Sequence, residues 1–220
     1  DPVREAIKNH MMESKDKTAQ VTIFEEAEVS ELVALRNKWK TAYDVKLTYL
    51  PFFIKAASTA LNDHPKLNAV YDEGFIQKDE VNMGVAVDTD KGLMVPILQR
   101  ADQKSVVDIA EDVQQLAEKA RNQNLSQDEM EGGTFTISSI GSIAGTKFTQ
   151  ILNYPEMAIL GVGRIKDEPV VKHGEVVPGN VLDLSVTVDH RYIDGADAAR
   201  FVRSIKEYLE NPEKLFMVMK

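Results

Sequence analysis

Hydrophobic and polar residues follow one another along this chain in patterns typical of helices and strands. Apolar residues at helical spacing predict helices within 3–14, after Ser30, after Thr48, over Val106–Arg121 and over 198–209. Period-two alternation predicts strands at Gln20–Glu28, 82–87, 93–98, 134–138, 157–162 and 182–188. Ser30 is predicted as a helix N-cap, and residues 126–129 have the spacing of a capping box for another short helix. No repeat or low-complexity linker divides the elements, so we expect one α/β domain whose mixed sheet is covered by helices mainly on one face.

Composition limits the classes of function. The 220 residues are 43% hydrophobic, enough to bury one substantial core. A net charge of −9 argues against nucleic-acid binding, which needs a basic surface. The chain has no cysteine, so a disulfide framework, a thiolate nucleophile and a cysteine metal site are excluded. No apolar run approaches the roughly 20 residues that span a bilayer, and the start at an aspartate indicates a piece of a longer protein.

His190 is the histidine most favourably placed for chemistry. Apolar residues alternate up to Val188, and the same register puts His190 on their side of the strand, just before a turn and a helix. Such a histidine is either a catalytic base in a dry setting or a hydrogen-bonded core residue. The other three, His10, His64 and His173, lie in a helix or in predicted turns.

A loop rich in serine and glycine, residues 138–146, is the second candidate site. Its hydroxyls and backbone amides are suited to a phosphate or an oxyanion, although an ordinary connection has the same composition. The loop lacks the signature of a P-loop, and no G-x-S-x-G elbow presents Ser138 as a hydrolase nucleophile. Asp194 is explained without chemistry as the N-cap of the last helix. No grouping of His, Asp and Glu has convincing metal spacing.

The segment DHRYIDGADAARF, residues 189–201, contains the HxxxDG signature of coenzyme A-dependent acyltransferases. It resembles the catalytic domain of dihydrolipoamide acyltransferases from 2-oxo acid dehydrogenase complexes. The resemblance continues in order through LTYLPFFIKA, HPKLNA, VAVDTDKGLMVPIL, GGTFTISSIGSIAGTKF and YPEMAILGVGRI, and covers essentially the whole chain. It implies a single catalytic domain over residues 1–220, with the lipoyl and peripheral-subunit-binding domains absent from this chain.

The resemblance implies a fold similar to chloramphenicol acetyltransferase, an α/β (α+β two-layer) architecture, and a homotrimer with active sites between subunits. His190 is then the general base that deprotonates the attacking thiol, and Ser138 donates a hydrogen bond to the oxyanion. The two residues are expected to come from neighbouring subunits. The implied catalytic set is His190, Ser138 and Asp194, the last as a structural anchor; Arg4 is a hypothetical partner of Asp194.

The implied substrates are coenzyme A and a lipoyl arm that enter one channel from opposite ends. The residues carried over for coenzyme A are Arg36, Thr48, Asp88, Ser138, Ser139, Ser142, Gly163 and Ile165. Several family members have Asn where this chain has Ser139. Lipoate is expected on a separate domain, and no metal is expected.

The implied partners follow from the same family. They are the lipoyl domain, further trimers of a larger symmetric core, and, through the absent domains, the 2-oxo acid decarboxylase and dihydrolipoamide dehydrogenase. No nucleic acid or membrane is expected, and the implied compartment is the cytoplasm, or the mitochondrial matrix in a eukaryote. The GGTFTISSIGSIAGT stretch is closest to branched-chain members, with pyruvate-type members barely farther.

Other functions remain open from the sequence. A small-molecule acetyltransferase similar to chloramphenicol acetyltransferase shares HxxxDG, although the VAVDTDKGLMVP and SIGSIAGTKF stretches favour the lipoyl family. Nonribosomal condensation domains usually carry two consecutive histidines, where Asp189 precedes His190 here. A non-catalytic core or tethering subunit is the alternative from a different class, and the presence of both His190 and Ser138 argues against it.

Overall fold

A computed structural model describes residues 2–42 and 45–218, so the ends of the predicted 1–220 domain lie outside the described residues. The helices are α1 (Pro2–Lys17), α2 (Ser30–Trp39), α3 (Leu50–Asp63), α4 (Val106–Arg121), α5 (Gly195–Glu210) and α6 (Pro212–Val218). The strands are β1 (Gln20–Glu28), β2 (Ala69–Tyr71), β3 (Phe75–Gln77), β4 (Met83–Val85), β5 (Val87–Thr89), β6 (Gly92–Met94), β7 (Ile97–Leu98), β8 (Phe135–Ser139), β9 (Ala158–Val162), β10 (Lys166–Lys172) and β11 (Glu175–Asp189).

The main sheet is mixed, as predicted. Its order is β1-β11-β9-β8-β4-β7, with β10 paired to the first half of β11. The β4–β8 and β8–β9 pairs are parallel and the others antiparallel. The β2–β3 and β5–β6 hairpins stand outside this sheet. The long β11 lies between the edge strand β1 and β9, so the residues near its carboxyl end are fixed by strands on both sides.

The two faces of β11 differ in chemistry, and both are buried. Leu182, Leu184, Val186 and Val188 belong to the apolar core, which also includes residues of α2, α3, α4 and α5. On the opposite face Gln150 donates from Nε2 to Ser185 Oγ at 2.6 Å, and its Oε1 accepts from Thr187 Oγ1 at 3.1 Å. Helices therefore cover one face, while the segment around Gln150 satisfies the buried hydroxyls of the other.

Two capping predictions are wrong in detail. The N-cap of α2 is Val29, and Ser30 is its first helical residue, with a hydroxyl that bonds Glu28 and accepts from the Asn180 N–H at 3.0 Å. Residues 126–129 make half of a capping box: the Ser126 N–H donates to the Glu129 carboxylate at 2.9 Å, but the Glu129 N–H donates to the Ser126 carbonyl and not to its hydroxyl, and no helix follows. Gly132, at φ +81°, follows closely in the chain, so a helix begun here would be too short for its hydrogen bonds to offset the free-energy cost of nucleation.

The two strands predicted at 82–87 and 93–98 are each divided. β4 and β7 belong to the main sheet, whereas β5 and β6 leave it and pair with each other. Pro96 lies between β6 and β7 and has no N–H to donate to a ladder, which is consistent with the break there. The division brings Asp88 on β5 beside α4 and the serine-rich loop.

Candidate active site

His190 lies directly after the last residue of β11. Its backbone N–H donates to the Ala19 carbonyl at 2.8 Å, which fixes the main chain at the point where the strand turns. The side chain is exposed in the single chain, so the dry setting expected from the strand register is not provided by this subunit. The register fails at its last step because the strand ends at Asp189 and His190 belongs to the turn.

Asp189 and Asp194, the carboxylates closest to His190 in sequence, have other structural roles. Asp189 is buried and forms an ion pair with Arg191. Asp194 is the N-cap of α5 as predicted, but its exposed side chain makes no capping bond. Its carbonyl instead accepts from the N–H groups of Asp197 and Ala198, at 2.9 and 3.2 Å. Arg4 lies beside the turn at Gly92, and among the described residues no ion pair joins it to Asp194.

Ser138 lies near the carboxyl end of β8 and opens the serine-rich loop. It pairs in register with Gly161 of β9 and is half-buried. The loop then folds back onto the chain that follows β9, where the Ile140 N–H donates to the Val162 carbonyl at 3.2 Å. The contact is backbone to backbone: a Cβ added to Gly163 would lie 1.9 Å from the Thr146 carbonyl oxygen. Glycine is therefore required here for the loop to reach its position.

A groove of about 760 Å³ runs beside this loop. Its lining contains six of the eight residues predicted to contact coenzyme A: Thr48, Asp88, Ser139, Ser142, Gly163 and Ile165. Arg36 lies behind the wall, with its guanidinium over the Tyr49 ring at 5.1 Å and its Nε donating to the Leu47 carbonyl at 2.9 Å. Ser138 precedes the lining residue Ser139 but does not itself line the groove. The fold thus brings together residues that lie far apart in sequence.

The groove also has lining residues that the sequence analysis missed. Three are cationic, Lys46, Arg121 and Arg164, and the apolar part of the wall includes Phe53 and Val113. The cations come from three different segments, so no local motif reveals them. Together they provide positive charge, hydroxyl groups and apolar surface, a combination suited to a long ligand with phosphate groups at one end.

A second, separate cleft lies beside the turn that carries His190 and includes its neighbour Arg191 in the lining. This cleft has a volume of about 510 Å³ and is lined by Asp16, Lys17, Thr18, Ala19, Tyr71, Tyr154 and Arg191. The rings of Tyr71 and Tyr154 in its lining are tilted by 38° to each other, with centroids 6.5 Å apart. Among the described residues, a cavity therefore lies near Ser138 and another near His190, at opposite ends of the sheet.

Ser138 and His190 of one chain do not meet. Ser138 pairs with Gly161, and Gly161 pairs with Ser185 on β11. His190 lies five residues beyond Ser185 and two strands away from Ser138. With about 3.3 Å per residue and 4.8 Å per strand, the separation is roughly 19 Å. A reaction that uses both residues therefore needs two chains.

The remaining histidines lie in a helix or in turns as predicted, and two of them have hydrogen-bond partners. His10 Nε2 lies 2.7 Å from the Tyr154 carbonyl, and His64 Nε2 lies 2.9 Å from Ser204 Oγ. Burial lowers the pKa of His64. His173 has φ +54° in the turn between β10 and β11.

Among the described residues, no group of three or more His, Asp and Glu side chains could hold a metal ion. Within the same part of the chain, no helix has both the length and the apolar character needed to cross a membrane.

Comparison with known proteins identifies the family. The sequence profile described as "2-oxoacid dehydrogenases acyltransferase (catalytic domain)" matches residues 1–217. The chain belongs to this acyltransferase family. It is 45% identical to the dihydrolipoyllysine-residue acetyltransferase component of the pyruvate dehydrogenase complex of Staphylococcus epidermidis, over 98% of this chain and 51% of that protein. This catalytic domain thus spans about half the length of the curated relatives it matches.

Solved structures agree with the assignment. The acyltransferase domain superimposes with a TM-score of 0.95 on the cubic core of a pyruvate dehydrogenase multienzyme complex, at 39% identity over 98% of this chain and 91% of that one. The TM-score is 0.94 for the dihydrolipoamide acetyltransferase of Azotobacter vinelandii, at 38% identity and the same coverage. That structure was solved to study a serine, a histidine and an asparagine in its catalytic mechanism. Chloramphenicol acetyltransferase matches at 0.60 and 16% identity, over 92% of this chain and 94% of that one, which confirms the predicted fold.

Proposed function

We propose that this domain transfers an acetyl group between a dihydrolipoyl arm and coenzyme A. The observation that carries the proposal is the groove, which gathers six residues expected at coenzyme A from separate segments and adds three cations to them. Lys46, Arg121 and Arg164 are suited to the phosphates of coenzyme A, and the serine-rich loop lies toward the reacting end. The acetyl group is favoured over a branched-chain group because the relatives at 44 and 45% identity belong to pyruvate dehydrogenase complexes.

The catalytic roles follow from the chemistry of thioesters. A free thiol has a pKa of about 8.5, so it is mostly protonated near neutral pH and needs a base to attack. His190 accepts the thiol proton, and the thiolate attacks the thioester carbonyl. Ser138 donates its hydroxyl hydrogen to the oxyanion of the tetrahedral intermediate. Collapse expels the second thiolate, which takes the proton back from His190, so no other reactant is consumed.

The spacing of the catalytic residues supports this assignment. In the Azotobacter vinelandii protein the studied serine precedes the histidine by 52 residues, and the asparagine follows the histidine by four. Ser138, His190 and Asp194 have the same spacings here. Asp194 replaces an amide with a carboxylate, and its place at the start of α5 favours the role of an anchor for the turn rather than a proton carrier.

The proposed active site lies between subunits. Ser138 and His190 are roughly 19 Å apart within a chain, too far to act on one carbonyl group. A trimer in which the serine end of one subunit faces His190 of the next joins the groove to the cleft beside His190. Coenzyme A then enters from the groove and the lipoyl arm from the opposite end.

The assembly is proposed by likeness to the cubic core. Trimers of this domain associate into a larger symmetric core in the bacterial cytoplasm. The lipoyl domain is its direct partner, and the decarboxylase and dihydrolipoamide dehydrogenase bind through other domains. Ser139, where several family members have Asn, offers coenzyme A a hydroxyl in place of an amide at the groove wall.

Transfer of acetyl groups from acetyl-coenzyme A to dihydrolipoamide by the purified domain tests the function. We expect His190→Ala to lower kcat about a thousandfold, the contribution of a general base. His173→Asn is the matched control, since Asn tolerates the left-handed backbone of that turn. Isobutyryl-coenzyme A should give a lower kcat/KM than acetyl-coenzyme A. A non-catalytic core subunit, the alternative, would show no transfer in the unmodified chain.

A further inference from the structure

Asp189 is a charged side chain with no exposure to solvent, directly before His190. Its Oδ1 accepts from the Ala19 N–H at 3.2 Å and from the Arg191 N–H at 3.1 Å. The Arg191 guanidinium donates from Nε to both carboxylate oxygens at 3.0 Å and from Nη2 to Oδ2 at 2.6 Å. Such a bidentate pair fixes direction as well as charge.

The main chain around Asp189 is held by the same group of residues. Its N–H donates to the Met157 carbonyl at 3.0 Å, and its carbonyl accepts from the Tyr192 and Ile193 N–H groups at 3.1 and 3.0 Å. Every backbone polar group of Asp189 is therefore occupied. Asp189 therefore holds the turn that carries His190 through its backbone groups as well as through its side chain.

Ala19 links Asp189 to His190 directly. Ala19 donates its N–H to the Asp189 carboxylate and accepts the His190 N–H on its carbonyl at 2.8 Å. The carboxylate thus orients the peptide groups of Ala19, and one of these holds the His190 backbone. A shift of the carboxylate moves the acceptor of the His190 N–H.

Arg191 connects this network to the cleft beside His190. The guanidinium lies over the Tyr71 and Tyr192 rings, with centroid distances of 5.3 and 5.4 Å. Its hydrogen bond to Asp189 raises the pKa of Arg191, so the guanidinium stays charged. Arg191 is exposed and Asp189 is fully buried, so removal of Arg191 leaves a buried carboxylate without its counterion, which costs more than loss of a surface pair.

We propose that Asp189 is a positioning residue for acyl transfer, which holds His190 in its productive orientation through Ala19 and Arg191. The proposal rests on the proposed role of His190 as the base. A displacement of about 1 Å in a reacting group lowers a rate about a hundredfold, so the bonds to Asp189 have kinetic consequences even though Asp189 does not contact substrate. The coenzyme A groove is lined by other segments and should be unaffected.

Kinetics of Asp189→Asn in the assembled enzyme test the proposal. We expect kcat to fall at least tenfold, with the KM for coenzyme A changed less than twofold. Asp197→Asn is the matched control, because the Asp197 side chain also pairs with an arginine, Arg200, and with Lys66, neither of which belongs to the turn that carries His190. If Asp189→Asn does not assemble, Arg191→Lys replaces it, since lysine keeps the charge but cannot bind the carboxylate bidentately.

A double-mutant cycle distinguishes positioning from general damage to the fold. On a His190→Ala background, Asp189→Asn should lower the residual kcat less than twofold, because its effect acts through the imidazole. Equal losses on both backgrounds, or an unchanged kcat in Asp189→Asn, would overturn the proposal. Full activity in His190→Ala would instead overturn the proposed function, so the two failures are distinguishable.

Discussion

Ser138 and His190 occupy opposite ends of one sheet, two strands and five residues of register apart. The pairing of Ser138 with Gly161 and of Gly161 with Ser185 sets this relationship, and it corresponds to roughly 19 Å. Sheet geometry does not allow the two side chains of one chain to approach each other. The reaction proposed for this domain therefore depends on its assembly, in which each site combines Ser138 of one subunit with His190 of its neighbour.

Removal of the Ser138 hydroxyl should impair chemistry but not folding. Ser138→Ala is expected to lower kcat by about a hundredfold to a thousandfold, the contribution of one oxyanion donor. The KM for coenzyme A should change little, because Ser138 does not line the groove. Steady-state kinetics and a thermal melt check this. A variant with unchanged kcat would exclude the serine from the oxyanion site.

The cations of the groove should act on binding. Arg164→Met is expected to raise the KM for coenzyme A about tenfold, the value of one charge-assisted hydrogen bond. An acyl acceptor of the pantetheine type without phosphates should show no such change. Arg203→Met, which removes an exposed arginine of α5, serves as the control. An equal loss with both acceptors would show that Arg164 acts on something other than the phosphates.

Gly163 should be intolerant of any side chain. Gly163→Ala forces a Cβ to within 1.9 Å of the Thr146 carbonyl oxygen, so the serine-rich loop must move. We expect a lower melting temperature, a higher KM for coenzyme A and a lower kcat. Gly74→Ala is the control, since nothing lies within 4 Å of a Cβ there. A Gly163→Ala protein with unmodified kinetics would contradict the backbone contact.

Glu156 should make stability depend on pH. Burial raises its pKa to about 8, although hydrogen bonds from Thr136 and Asn153 oppose the shift. The folded chain holds this proton where the unfolded chain, with a pKa near 4.5, has lost it. Stability therefore falls as pH rises from about 4.5 to about 8, by up to about 1.4 kcal/mol per pH unit.

Glu156→Gln tests that slope. A glutamine can accept from Asn153 and donate to Thr136 without any ionisation. Chemical denaturation between pH 5 and pH 9 should show the variant less dependent on pH than the parent chain, and more stable at pH 8 to 9. The same slope in both proteins would mean that Glu156 is ionised in the folded state.

Much of this fold is predictable from local sequence patterns, because the periodicity of a helix or a strand is set by residues that are neighbours in sequence. The bounds of β1 and α4 agree with the apolar periodicity of Gln20–Glu28 and Val106–Arg121. The same argument fails where tertiary contacts decide. The Ser30 hydroxyl does not cap the helix. It donates to Glu28 and accepts from the N–H of Asn180, which is 150 residues away in sequence.

The candidate site is also predictable from the sequence only in part. The strand pattern and the HxxxDG resemblance locate His190 and the serine-rich loop. They do not reveal Lys46, Arg121 and Arg164, which line one groove only when the segment before α3, the end of α4 and the chain after β9 have folded together. Nor does the pattern show that His190 is exposed in the single chain, because alternation describes a strand and His190 begins a turn.

Complementation between two inactive chains tests the central claim most directly. Ser138→Ala and His190→Ala chains, each assembled alone, should transfer acetyl groups at less than about one hundredth of the normal rate. Co-assembled from the unfolded state at equal concentrations, random trimers should place an intact Ser138 against an intact His190 in about a quarter of the sites. We predict about 25% of the normal kcat per site. Activity no higher than the mean of the two separate variants would contradict a site shared between subunits.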